Sequence, residues 1–191
     1  MTDAAASRTR APQVPDLEAS VVVDAPPETV WDLIADVTRM GEWSPECYRC
    51  RWIGRERQPV AGARFVGFNR RGLVRWATTN VVEEAERGQS FAFRTQGTGA
   101  RWSFHLEPDG DGTRLTQRRH LTKGVTRVVK LAGVFVGGQR NHDRELEAGM
   151  QQTVERIRAA AERAAGASGT DGTGDTDRTS DTGDAGDGAS G

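Results

Sequence analysis

Along most of the chain, apolar and polar residues alternate with a period of two. Near the end the period changes to three or four. The run "LEASVVVD" at 17–24 is β-branched and predicts a first strand. "APPETVWDLIADV" follows, with Pro26 and Pro27 suited to a helix start and Val30, Leu33 and Ile34 forming an apolar stripe, so a short helix is expected over 27–35. Trp31 lies at the edge of that stripe and is expected to pack into the fold. "TRMGEWSP" reads as a turn or a second brief helix ending before Pro45, with Trp43 inside it.

Six strand-like segments come next: "CYRCRWIG" (47–54), "ARFVGFNRR" (63–71), "LVRWATTNVVEEA" (73–85), "SFAFRTQ" (90–96), "RWSFHLEPD" (101–109) and "TRLTQRRHL" (113–121). Short separators, most of them containing Gly, predict hairpins and an antiparallel meander. Strict alternation puts Tyr48, Cys50 and Trp52 on one face and Arg49 and Arg51 on the other. By the same rule Phe91 and Phe93 oppose Ser90 and Arg94, and Trp102, Phe104 and Leu106 oppose Arg101, Ser103 and His105. One face is apolar and the other Arg-rich, as in a sheet covered on one side. From Val125 the period becomes helical, through Val128, Leu131, Phe135, Gln139, His142, Leu146, Gly149/Met150, Thr153 and Ile157. Gly137–Gly138 divides this run into a short helix over 125–136 and a long one over 139–165.

Composition sets the limits of the domain. Residues 166–191 hold no large apolar side chain and cannot offset the entropy of ordering, which predicts a disordered acidic tail. The tail contains six Asp and one Arg, a net of −5; with −1 for the whole chain, residues 1–165 carry +4. That mildly basic body is a weak signal for nucleic acid. Residues 1–16 read as a second floppy end without a signal-peptide core, which leaves 17–165 as one domain. No stretch reaches the ~20 apolar residues of a membrane span, and a cytoplasmic location is expected. The two cysteines, in "CYRC", invite a redox or zinc reading. On a regular strand, Cys47 and Cys50 would point to opposite faces, so neither a disulfide nor a metal is expected, nor any cofactor.

The apolar face carries many rings, with polar residues in phase among them. A solid core has little use for such groups, since each needs a hydrogen-bond partner. A cavity would use them. The expected lining is Tyr48, Trp52, Phe65, Asn69, Trp76, Thr78, Phe93, Trp102, Gln117, Arg119 and, from the helix, His142, with Trp43 at the mouth. A strand read one residue out of phase, or mutual pairing of the polar groups, would leave a packed core instead.

"VVVDAPPETVWDLIADVTRMGEWSP", "GARFVGFNRRG", "GDGTRLTQ" and "RNHDRELEAGMQQTVERIRAAAE" together resemble the START-like, SRPBCC superfamily, nearest its bacterial polyketide cyclase/dehydrase and lipid-transport type. The resemblance covers roughly residues 16–165. It implies an α+β helix-grip fold: a curved antiparallel sheet wrapped around a long C-terminal helix, with a hydrophobic cavity between. It also implies an apolar small-molecule ligand, such as a lipid or polyketide. Three functions remain open. The first is a non-catalytic binding or carrier protein. The second is a polyketide cyclase/aromatase-type enzyme, for which Arg119, His142 and Tyr48 are the inward candidates, although no tight catalytic constellation can be read. The third is a toxin-like or regulatory protein that meets a macromolecule through Arg49, Arg51, Arg94, Arg101 and Arg118. Removing residues 166–191 should leave the melting temperature within about 2 °C by calorimetry, since about 1 kcal/mol of lost packing would move it further.

Overall fold

The structure, a computed structural model, describes residues 16–121 and 139–169; for residues 139–143, 168 and 169 it describes the backbone alone. Strand β1 (Leu17–Val23) leads into helix α1 (Pro27–Ala35), a 3-10 turn (Val37–Arg39) and the single-turn helix α2 (Met40–Trp43). Six strands follow: β2 (Cys47–Ile53), β3 (Arg64–Arg71), β4 (Val74–Glu86), β5 (Ser90–Thr95), β6 (Ala100–Asp109) and β7 (Gly112–Leu121). The long helix α3 (Gln139–Gly169) closes the described chain. The strands form one antiparallel sheet in the order β1-β7-β6-β5-β4-β3-β2. The sheet curves around α3, which is the α+β helix-grip arrangement.

Sequence explains the local choices. Pro26 and Pro27 start α1, and Val30, Leu33 and Ile34 are buried on its inner stripe. The β3–β4 hairpin turns through Gly72 and Leu73, where Gly72 takes φ 57° and Arg71 pairs with Val74. Helix α3 runs to Gly169, past the expected end at 165, because "AERAAGA" supplies strong helix formers through its one glycine. The expected short helix at 125–136 lies outside the described residues.

The core lies toward the α1 end of the sheet. Phe65, Phe91 and Leu115 of the sheet meet Val30 and Ile34 of α1 and Val154, Ile157 and Ala161 of α3, all buried. Burying each large member contributes roughly 1.5–3 kcal/mol. Trp31 is buried here too, and its indole Nε1–H donates to the Ser90 carbonyl at 2.9 Å. Thr113, fully buried, donates through Oγ1 to the Ala25 carbonyl at 2.7 Å and ties β7 to the start of α1.

Two strands depart from simple alternation: β4 shifts register against β5 between Val82 and Glu84, and β2 shifts against β3. Cys47 pairs with Asn69, but Arg49 pairs with Phe68, so a β-bulge lies between Cys47 and Arg49. The extra residue changes the phase. Cys47 and Cys50 are both buried, on the concave side, and Tyr48 is turned out to solvent with 43% of its surface exposed. Tyr48 packs near Phe68, ring centroids 6.5 Å apart, with the Arg70 guanidinium 5.9 Å from its ring. Both the inward placement expected for Tyr48 and the outward one for Cys47 are therefore corrected.

Helix α2 lies against β2 backbone to backbone. A Cβ on Gly41 would come within 2.4 Å of the Tyr48 carbonyl oxygen. Gly41→Ala should push α2 off the sheet and cost about 1–3 kcal/mol in urea denaturation. A change below about 0.5 kcal/mol would show that α2 can shift freely.

Candidate functional site

Beyond the core, the sheet and α3 diverge around a cavity of about 250 Å³. Its walls come from every strand except β1. Helix α2 adds Met40 and Trp43, and α3 adds Leu146, Gly149, Met150 and Thr153. Large rings make the walls apolar: Trp43, Trp76, Phe93, Trp102 and Phe104. Trp76, 37% exposed, stands at the rim. The Arg71–Glu145 ion pair joins β3 to α3 beside it.

Polar groups line the strand side of the cavity, and most of them satisfy each other. Asn69 donates to the Gly67 carbonyl at 3.2 Å and to Thr78 Oγ1 at 3.3 Å. Asn80 donates to Thr78 Oγ1 at 3.4 Å and accepts from Thr95 Oγ1 at 2.8 Å. The result is a buried ladder from Asn69 through Thr78 and Asn80 to Thr95. Gln117 differs. It is 5% exposed, and its Oε1 has no hydrogen-bond partner among the described residues. Next to it on the same face of β7, the Arg119 guanidinium sits 5.7 Å from the Trp102 ring centroid.

The two cysteines also line the cavity, with their sulfurs 3.3 Å apart. The hydrogen bond from Cys50 holds the Cys47 thiol below its ordinary range, against the opposing effect of burial and with help from the backbone of Arg49 and Phe68. Cys50 is pushed far up, first by that same bond and then by burial. Both thiols are free.

Eight of the twelve residues expected from sequence meet at this cavity: Trp43, Asn69, Trp76, Thr78, Phe93, Trp102, Gln117 and Arg119. Trp43 is 3% exposed, a wall rather than a rim residue. Phe65 is fully buried in the core against Phe93, with ring centroids 5.1 Å apart, and so lies behind the cavity wall. Trp52 packs edge-on to Phe65 at 5.8 Å, also away from the cavity. Tyr48 is outside for the reason given above. The side chain of His142 lies outside the described residues. Asn80 and Thr95 were missing from the expected set, although both are in phase with neighbours that were in it: Asn80 with Thr78, and Thr95 with Phe93. Cys47 gave no such signal, because the bulge that turns it inward depends on β3.

The outer arginines are largely neutralised. Arg94 and Arg101 pair with Glu83, Arg101 also with Glu84, and Arg118 with Glu18. Arg51 lies over the Phe68 ring. No described helix is long and apolar enough to cross a membrane. Among the described residues, no group of three or more His, Cys, Asp or Glu could hold a metal ion.

Replacing Thr95 with Val should leave buried Asn80 Oδ1 without its donor and cost about 1–3 kcal/mol in chemical denaturation. No loss would mean that water already serves this ladder.

The sequence matches the family model "Polyketide cyclase / dehydrase and lipid transport" over residues 15–164. No curated protein matches it. Among solved structures, the Polyketide_cyc-like protein Cgl2372 from Corynebacterium glutamicum is 31% identical, with a TM-score of 0.53, over 78% of this chain and 92% of that one. Protein TTHA0849 from Thermus thermophilus aligns at 16% identity and a TM-score of 0.60, over 79% of this chain and 99% of that one. The di-domain ARO/CYC StfQ from the steffimycin biosynthetic pathway aligns at 16% identity and a TM-score of 0.61, over 81% of this chain but 52% of that one. At 16% identity these last two likenesses speak for the fold alone.

Proposed function

The chain belongs to the polyketide cyclase/dehydrase and lipid transport family, and from that premise we propose that it binds a compact apolar small molecule inside its cavity as a binding or carrier protein. The observation that carries this reading is Gln117 Oε1, which has no hydrogen-bond partner among the described residues. A buried carbonyl oxygen without a donor is costly, of the order of 1–3 kcal/mol. Here it borders a space walled by Trp76, Phe93, Trp102 and Phe104. A ligand with a hydroxyl or N–H beside an apolar body would satisfy the oxygen and fill the space. The volume, about 250 Å³, lies just below the usual range for small-molecule sites, about 300–1,000 Å³. That size favours a compact ring system over a long acyl chain.

A cyclase-type reaction in the same cavity is the second reading, and Arg119 favours it. The guanidinium on the Trp102 ring is a positioned cation, able to stabilise negative charge developing on a carbonyl oxygen. Such a reaction also needs a base, and the described wall offers the Glu46 carboxylate and the Cys47 thiol, which is held below its ordinary range.

Native mass spectrometry of freshly purified protein tests the proposal directly. A bound small molecule at one per chain is expected, displaceable by an apolar fluorescent probe that quenches the cavity tryptophans. Gln117→Leu should leave the melting temperature within about 2 °C, because no protein partner is stranded, while weakening ligands that carry a donor by about fivefold or more. Clear destabilisation by Gln117→Leu, with no probe bound by the parent protein, would mean that the space is packed core. Conversion of a polyketide mimic that stops on Arg119→Gln would decide for the second reading.

A further inference from the structure

Three sulfur atoms converge in one wall of the cavity. Cys47 Sγ and Cys50 Sγ are 3.3 Å apart, and Met40 Sδ is 3.8 Å from Cys50 Sγ. Two backbone features make this possible. The bulge after Cys47 brings a C-x-x-C pair onto a single face of β2. Gly41 allows α2 to rest on the β2 backbone and present Met40. Gly67 lies opposite Cys50 on β3, next to both sulfurs: a Cβ there would make ordinary contact with each cysteine Sγ, at 3.5 Å.

We propose that Met40, Cys47 and Cys50 form a binding site for a soft monovalent metal ion of the Cu(I) class. Two thiolates and a thioether are soft donors, and an all-sulfur set selects Cu(I) over harder divalent ions. Zinc in a structural site takes four N or S ligands, and among the described residues no third His, Cys, Asp or Glu joins the pair. Among oxygen and nitrogen donors nearby, the Arg49 carbonyl lies 3.6 Å from Cys47 Sγ, and Asn69 and the Thr78 hydroxyl are engaged with each other.

The spacing suits a bridging ion better than an S–S bond. Cys47 and Cys50 face Asn69 and Gly67, two residues apart on β3. Two residues of strand put their Cα atoms about 6–7 Å apart, at the upper edge of the span of about 4.4–6.8 Å that disulfides bridge. A metal–sulfur bond of about 2.3 Å, as in zinc thiolates, places two ligand sulfurs of a trigonal site about 4 Å apart. The Met40–Cys50 separation of 3.8 Å already matches this, and the cysteine pair at 3.3 Å has only to open slightly.

Binding is a ligand exchange without electron transfer. The ion displaces both thiol protons to solvent and is held by two thiolates and the Met40 thioether, a unit with one net negative charge. All three residues border the cavity, so the ion enters by the same mouth as an organic ligand.

The test is an anaerobic titration of the reduced, full-length protein with Cu(I) buffered by bicinchoninate, and in parallel with Ag(I). Stoichiometry is read by native mass spectrometry and coordination by thiolate-to-metal ultraviolet absorption. One ion per chain is expected. Cys47→Ser and Cys50→Ser should each abolish stoichiometric uptake. Met40→Leu, close in volume, should keep the parent melting temperature and weaken binding by about tenfold or more. Zinc should not bind stoichiometrically. An unchanged Cu(I) affinity in folded Met40→Leu would overturn the three-sulfur site. So would failure of the parent protein to take up either ion, whether or not its cysteines oxidise to a disulfide. None of these results depends on what fills the apolar part of the cavity.

Discussion

A seven-stranded sheet with one apolar face must have that face covered, and here one long helix is the main cover. The constraint is geometric. A helix with its side chains is about 10–12 Å across, whereas adjacent strands lie about 4.8 Å apart, so seven strands are far wider than one helix. Curvature makes up part of the difference and α1 makes up more, at the β1–β7 side and under β5, where Trp31 donates to Ser90. What remains uncovered, below β2 to β7, is the cavity. It is the space left when a wide sheet is closed by one helix, and α2 narrows it with Met40 and Trp43.

The cavity's polar groups follow from that origin. Strand residues facing a void cannot rely on the helix for partners. Asn69, Thr78, Asn80 and Thr95 therefore pair across neighbouring strands. Cross-strand pairing of this kind stiffens the floor without filling it. Gln117 stands apart from the ladder, two strands away from Thr95 across β6, and its oxygen has no partner among the described residues. The outer face is organised in the opposite way. Glu83 and Glu84 sit between Arg94 and Arg101, so its charges are engaged with one another at a gain of about 0–1 kcal/mol per pair.

Much of this was legible in the residues, and the failures share a cause. From β3 to β7, alternation placed Phe65, Asn69, Phe93, Trp102 and Gln117 on the concave face, because a regular strand has a fixed period whatever its neighbours do. Alternation cannot say how far along the sheet the cover reaches. For that reason Phe65 and Trp52 were expected in the cavity, but Phe65 lies in the core and Trp52, partly buried, packs against that core. Strand β2 failed differently. Its bulge is a property of the pair, two residues of β2 against one of β3, and nothing in "CYRC" announces it. That single inserted residue exchanged Tyr48 for Cys47 on the inner face.

The order of the strands also determines when the cavity can exist. Leu17 pairs with Arg119, and β1 completes the sheet only beside β7, although β1 is the first strand in the chain and β7 the last. The hairpins from β2 to β7 are local and can form early. Joining β1 to them closes a loop of about a hundred residues, which costs entropy before any contact offsets it. Helix α3 follows later still in the sequence. On a ribosome, the nascent sheet must therefore hold its ring-lined face open until the last third of the chain has emerged. The aromatic surface that later walls the cavity is, during synthesis, the surface most exposed to unwanted association.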